Sequence, residues 1–477
     1  MKLDSSKLSS GVRLALSMGA AAIAGAARSA EAQTATGNAE QHEQYFETIV
    51  VTGSNVRRVD TETANPVITI DRAAIERSGK VTLGDLVQDL PAVTGPYTNP
   101  RVNVGGGTGA STVSLRGLGA DRTLILVNGH RYLYGDVNAI PAAAIERIEV
   151  LTDGASSVYG SDAIGGVVNF ILRTNYQGAE FAANYGISDR DDGQRVGYHF
   201  VFGQSTDKGS ILAGVDYNKF ESILASNREF SKNAVYYYYG AAHVNGGVSY
   251  TPTGAIQLPL ELKQQFGCPF PFATLKTLGQ ISNPPQLEDF RCFHPATDRY
   301  NFQAVNLELT PQERSSLFVV GNYKLTDHVE AYVEYFHNKT ESAWQISPSG
   351  IGAALSRVVI SAQSYYNPFG VDFGPDSFDF RTRLLGNGNR IGNYSTQVDQ
   401  ATAGFKGAFD DGSWQWNAYF NYGHPKALYH TSGYVDASRL SPGLGPSYKD
   451  GAGNLVCGTD PALGGSGPVA GCTPFDL

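Results

Sequence analysis

The chain has 477 residues, 42% of them hydrophobic and 17% charged, with a net charge of −9. That balance leaves no basic surface for nucleic acid. Nor does any stretch beyond the extreme N-terminus reach the roughly 18 consecutive apolar residues of a helical membrane span. A membrane barrel remains open, because only alternate residues of its strands are apolar. The composition favours one: 55 Gly, 26 Tyr and 23 Phe against two Met suit turns and aromatic girdles better than helices. A mean hydropathy of −0.21 would read as soluble, but alternation averages the apolar positions away.

Lys2, Lys7 and Arg13 form a basic start, Leu14–Ala27 is uncharged and small-apolar, and Ala30-Glu31-Ala32 is a small-x-small cleavage pattern. Residues 1–32 therefore read as a signal peptide, with the mature chain beginning at Gln33. Residues 33–64 are polar and aperiodic, the composition of a flexible tether. Within them Glu47, Thr48, Ile49, Val50, Val51, Thr52 and Gly53 make a short β-prone run. Such a run can add as a strand to a partner's sheet edge.

Residues 65–172 read as a compact α/β unit. Val67–Ile70 is a strand, Asp71 caps a helix over Arg72–Ser78, and Gly79 ends it. Thr82 and Asp85 resemble a capping box for a helix Leu83–Leu90, stopped before Pro91. Leu83, Leu86, Val87 and Leu90 share one face. Leu124–Val127 is a buried-type strand followed by the hairpin signal Asn128-Gly129. A short helical turn at Pro141–Ala144 precedes the strand Ile145–Leu151.

From Gly178 the hydrophobic period becomes two. Seven strands are predicted, at about 179–188, 195–205, 209–221, 314–325, 328–345, 396–410 and 413–433. Short connections alternate with longer ones, the longest being Ser222–Glu313 and Ile346–Ser395, which is the pattern of periplasmic turns and outer loops. Residues 178–477 are thus expected to be barrel strands with long outer loops. Cys268, Cys292, Cys457 and Cys472 form two local pairs on the outer side, and in an exported chain they read as disulfides.

No chemistry is indicated. Gly105–Gly109 lacks the ending of a phosphate loop, and Gly154-Ala155-Ser156-Ser157 lacks the spacing of a hydrolase elbow. The nine histidines are scattered, so neither a metal site nor a cofactor is expected. Tyr236, Tyr237, Tyr238 and Tyr239, with Phe266, Phe270 and Phe272, place aromatic rings in the second outer loop, where they could stack on a flat or sugar ligand. That loop is near neutral, which leans the ligand toward an oligosaccharide or other neutral organic molecule.

Four segments, FETIVVTG at Phe46–Gly53, LGDLVQDLPAV at Leu83–Val93, SLRGLGADRTLILVNGHR at Ser114–Arg131 and IERIEVLTDGASSVYGSDAIGGVVNFIL at Ile145–Leu172, occur in order. Together they closely resemble TonB-dependent outer-membrane receptors. The resemblance implies an α+β plug domain over 65–172 followed by strands of a 22-stranded antiparallel membrane barrel. About seven strands are present, so the sequence reads as truncated, and seven strands alone are not expected to close. It makes 47–53 the TonB box, with TonB and its inner-membrane energising complex as partner and outer-membrane lipid around the strands. It implies that Arg116, Glu146, Arg147 and Glu149 lock plug to barrel. The implied function is import across the outer membrane of a Gram-negative bacterium rather than catalysis. An iron–siderophore complex is the alternative ligand, and a binding-only receptor or passive porin the alternative class.

Overall fold

The computed structural model describes residues 67–94, 100–101, 103, 108–153, 155–236, 244–409 and 414–476. A five-stranded sheet forms the first unit, ordered Val67–Asp71, Ile145–Leu151, Gly166–Leu172, Thr123–Val127, His130–Arg131. The Thr123–Val127 and Gly166–Leu172 strands run parallel and the other pairs antiparallel. Asp71 caps the helix Arg72–Arg77 by accepting from Ala74 N at 2.7 Å. Thr82 caps Leu83–Gln88 through Asp85 N and also donates to the Asp85 carboxylate at 2.9 Å. That helix stops two residues short of the predicted end, because Leu90 N turns to Val87 O in a tightened last turn.

One face of the sheet packs Ile148, Val150, Val168 and Phe170 on Leu83, Leu86 and Val87, and the same core runs on into Val201, Leu212, Phe318 and Phe336 of the following strands. The other face buries Leu124, Leu126, Leu151 and Val167 beneath Ala155 and Ala163. The plug therefore completes its core against the barrel wall rather than by itself.

The seven predicted strands are present at Gly178–Gly186, Arg195–Thr206, Gly209–Phe220, Gln312–Thr326, Val329–Ile346, Arg390–Ala408 and Gln415–Ser432, each antiparallel to its chain neighbour. Among the described residues the first and seventh keep one unpaired edge each, and the sheet is open. The sixth starts earlier than the alternation suggests, since its pairing with the fifth continues past Thr396 opposite Thr340 to Gly392 opposite Trp344 and Arg390 opposite Ile346. Outward residues include Phe181, Tyr185, Ile211, Val333, Phe405 and Phe420, all exposed. Inward positions on the fourth and fifth strands (Gln312, Arg314, Ser316, Phe318; Glu334, Phe336, Asn338, Thr340) are buried under the plug. This is the apolar-out, polar-in alternation of a membrane barrel.

The long outer connections are not separate loops. Ala255–Gln257, Phe272–Leu275 and Phe290–Cys292 of one join Gly350–Gly352 and Phe380–Arg383 of the next in a single five-stranded sheet. Phe290, Phe369, Phe373 and Phe380 stack edge to face at 4.8–5.8 Å between centroids, and Leu440 and Leu444 close the cluster from a third segment. Disulfides join Cys268 to Cys292 and Cys457 to Cys472. The first spans 24 positions, so its loss is expected to weaken this outer domain by roughly 3 kcal/mol on the chain-entropy account. Urea titration of the Cys268→Ser/Cys292→Ser variant, read by proteolysis within 255–383, checks this; an unchanged midpoint would contradict it.

Candidate functional site

The plug meets the barrel wall at three levels, each built from a local feature of the chain. The central one starts at the hairpin turn, where Asn128 (φ 47°) and Gly129 (φ 82°) both take left-handed backbone, as the favoured two-residue turn requires. Asn128 is held by its side chain, which accepts from Leu172 N at 2.9 Å and donates to Glu334 Oε1 at 2.6 Å. The turn thrusts His130 against the wall. Its Nε2 lies 3.0 Å from the Tyr332 hydroxyl, its Nδ1 lies 3.5 Å from Glu334 Oε2, and Tyr419 packs on the ring at 4.4 Å. Farther along, Arg131 O accepts from Gln400 at 3.1 Å and Asn421 at 2.7 Å, while Leu133 N donates to Gln400 Oε1 at 3.0 Å. One hairpin is thereby stitched to the fifth, sixth and seventh strands.

At the outer level the strand Gln312–Thr326 presents Arg314 to the plug. Its guanidinium donates to Asp136 at 3.0 Å and to Gly109 O at 2.8 Å, with both charged side chains 3% exposed. Asn103 forms a two-point bond with the Gln345 backbone, at 2.6 and 3.1 Å. Thr310 N donates to Arg101 O at 2.7 Å, and the Arg101 guanidinium lies 4.7 Å over the Phe220 ring. Burial, and then the charge of Arg195, bring the Arg101 pKa down to about 10. In the neighbouring outer turn, the Arg228 guanidinium beside Asp192 holds that carboxyl well below the usual carboxylate range.

The third level lies by the first barrel strand, at the end facing the short turns. Arg72, at the start of the first plug helix, donates to Ala142 O and Ile145 O and lies 3.6 Å from Glu180. Arg173 and His199 reach the same carboxylate at 3.2 and 3.1 Å. Glu180 thus gathers three cationic or titratable partners, two from the plug and one from the wall.

Arg116 and Arg147, expected to lock the plug, bond within it among the described residues. Arg116 (φ 55°) donates to Ile164 O at 2.6 Å and Gly165 O at 3.3 Å, inside the plug. Arg147 pairs with Glu149 at 2.8 Å on its own strand, and Glu146 is exposed. The contacts with the seven strands described are made by Arg72, Arg101, Asn103, Gly109, Asn128, His130, Arg131, Leu133, Asp136 and Arg173. The physical reason is topological: Ile145–Leu151 is an interior strand of the plug sheet, whereas the hairpin and the 132–140 segment are its rim. Sequence reasoning found the Asn128-Gly129 turn but not its use. A further signal was present in Arg314 and Glu334, charges at the inward parity of otherwise alternating strands.

Glu47–Gly53 and Tyr237–Tyr239 lie outside the described residues. Tyr236 has its backbone paired with Val244. Phe266 packs on the outer-domain core, Phe272 lies 5.3 Å from the Arg381 guanidinium, and Phe270 is half exposed. Two of the three phenylalanines proposed for ligand stacking are therefore engaged in loop packing.

The family profile of the TonB-dependent receptor plug domain matches residues 59–167. Among solved structures, the siderophore receptor PiuA from Acinetobacter baumannii is 14% identical, with 83% of this chain and 48% of that chain covered and a TM-score of 0.39. The ferric preacinetobactin receptor BauA from the same organism is 13% identical, over 87% and 52%, at 0.38. The ferric citrate transporter FecA in unliganded form is 12% identical, over 78% and 48%, at 0.34. The chain spans about half the length of these receptors. Its 59–167 segment matches the TonB-dependent receptor plug family, and a seven-stranded antiparallel sheet follows it.

Proposed function

We propose that this TonB-dependent receptor of the Gram-negative outer membrane imports a scarce nutrient, with the plug as the gate and TonB supplying the work. The observation that carries the reading is the position of Val67–Asp71. It is an edge strand of the plug sheet, held to Ile145–Leu151 along one side only, and it follows directly on the tether bearing Glu47–Gly53. In this reading TonB pairs with that segment as an added strand. Tension then reaches the edge strand first, where a pull separates few hydrogen-bonded pairs at a time.

A passive porin needs no gate wedged into its wall at three levels, and a binding-only receptor needs no strand for a periplasmic partner. For the ligand, the relatives named above are iron–chelate receptors, which puts a ferric siderophore ahead of the neutral oligosaccharide suggested by loop charge. Uptake assays with radiolabelled ferric siderophores and with labelled oligosaccharides, in cells with and without TonB, test the proposal. Uptake of one class is expected with TonB and none above background without it. Equal uptake in the two strains would overturn energy coupling.

A further inference from the structure

Among the wall contacts, Arg314 is unlike the others in joining two separate parts of the plug. One end of its guanidinium holds Gly109 O at 2.8 Å and another holds Asp136 at 3.0 Å. Gly109 meets the outer end of the strand Gln312–Thr326, where Gln312, one inward position away, also donates to its carbonyl at 2.5 Å. Gly109 has φ +79°, and a side chain there would meet Gln312 and Ser342, so this loop end is both conformationally and sterically fitted to the wall.

Asp136 leads inward. Its Oδ1 accepts from Ser111 N at 2.8 Å and Asn138 N at 3.0 Å. The Asn138 side chain in turn accepts from Gly84 N at 2.6 Å, in the first turn of the helix Leu83–Gln88. Every link is buried. A continuous chain thus runs from Gly109, through Arg314, Asp136 and Asn138, to the helix Leu83–Gln88. A buried ion pair holds only while both partners stay in place, since either one alone is left uncompensated.

We propose that Arg314 is a positioning residue that keeps the gate shut: it clasps Gly109 to the plug body, and release of that grip frees Asp136 and loosens the Gly84 helix. This rests on the reading of the plug as a gate, but not on TonB coupling, so it is tested without TonB. The assay is vancomycin susceptibility of TonB-lacking cells displaying the intact receptor, with surface receptor quantified in parallel.

Arg314→Gln and Asp136→Asn are each expected to lower the inhibitory concentration about tenfold, mid-range for a coupling between sites. The exchanged pair Arg314→Asp/Asp136→Arg restores the ion pair but leaves Gly109 O without its arginine donor, so it should stay leaky, whereas Ser316→Ala, buried on the same strand, should keep exclusion. If Arg314→Gln fails to reach the surface, Arg314→Lys decides. It keeps a charge for Asp136 but lacks the fork that grips two acceptors, so it is expected to leak. A tight Arg314→Gln at normal surface level, a tight Arg314→Lys, or an exchanged pair as tight as the wild type would each overturn the clasp. Loss of TonB-dependent uptake in the wild type would instead strike the transport reading and leave these outcomes intact.

Discussion

Deletion of Glu47–Gly53 is expected to abolish uptake while ligand binding at the cell surface stays near the wild-type level. The segment is far from every outward surface in sequence and precedes the edge strand Val67–Asp71, so nothing in the outer domain depends on it for folding. The fully buried plug core begins at Ile75, with Ile70 and Val67 packed against it. Removing the segment therefore takes away the strand offered to TonB and leaves the gate closed. Labelled-ligand binding at low temperature, followed by uptake on warming, separates the two steps. Intact uptake in the deletion would sink energy coupling through this segment, and lost binding would show that it also supports the fold. A strand-preserving control, with Ile49 and Val51 exchanged for Thr, is expected to retain partial uptake, since main-chain hydrogen bonds carry much of such pairing.

Phe170→Ala is expected to destabilise the plug by about 3–5 kcal/mol, the usual cost of emptying a phenylalanine site in a packed core. That is a large share of the 5–15 kcal/mol that holds a typical domain together. Phe170 is 0% exposed, faces Ile148 and Val127 across its two neighbouring strands, and its carbonyl accepts from Asn128 N at 2.9 Å. The cavity would open directly beneath the turn that seats His130, so loss of packing and loss of wall contact should appear together. Urea titration of the purified receptor, with protease cleavage inside 67–172 as the signal, reads both. Phe170→Leu fills most of the volume and should cost less than half as much. Equal midpoints for wild type and Phe170→Ala would mean that the barrel, not the plug core, sets plug stability.

Much of this architecture was legible from residues alone, because its signals are local. The Asp71 and Thr82 caps, the Asn128-Gly129 turn and the two-residue alternation each depend on a few neighbours, and all seven barrel strands appear where that alternation runs. The outer domain was not legible. Ala255–Gln257 pairs with Phe380–Arg383 across more than a hundred residues, and nothing in either short segment specifies the other. The two long connections thus read as loops when they are one sheet over one core.

The plug's hold on the wall divides in the same way. Arg314 and Glu334 fall at polar positions of the alternation, so the parity of each strand carries the fact that they face inward. Parity could not determine which plug residues meet them, because that depends on which rim of the plug sheet faces which strand. Arg116 and Arg147 carry charge in apolar strands, yet the folded plug satisfies both internally. Asp136, an unremarked residue in a connecting segment, becomes the buried partner of Arg314. Propensity, capping and alternation act over a few residues and are written in the chain. Pairing of buried charges acts through space in a low-dielectric interior, so only the tertiary structure decided it.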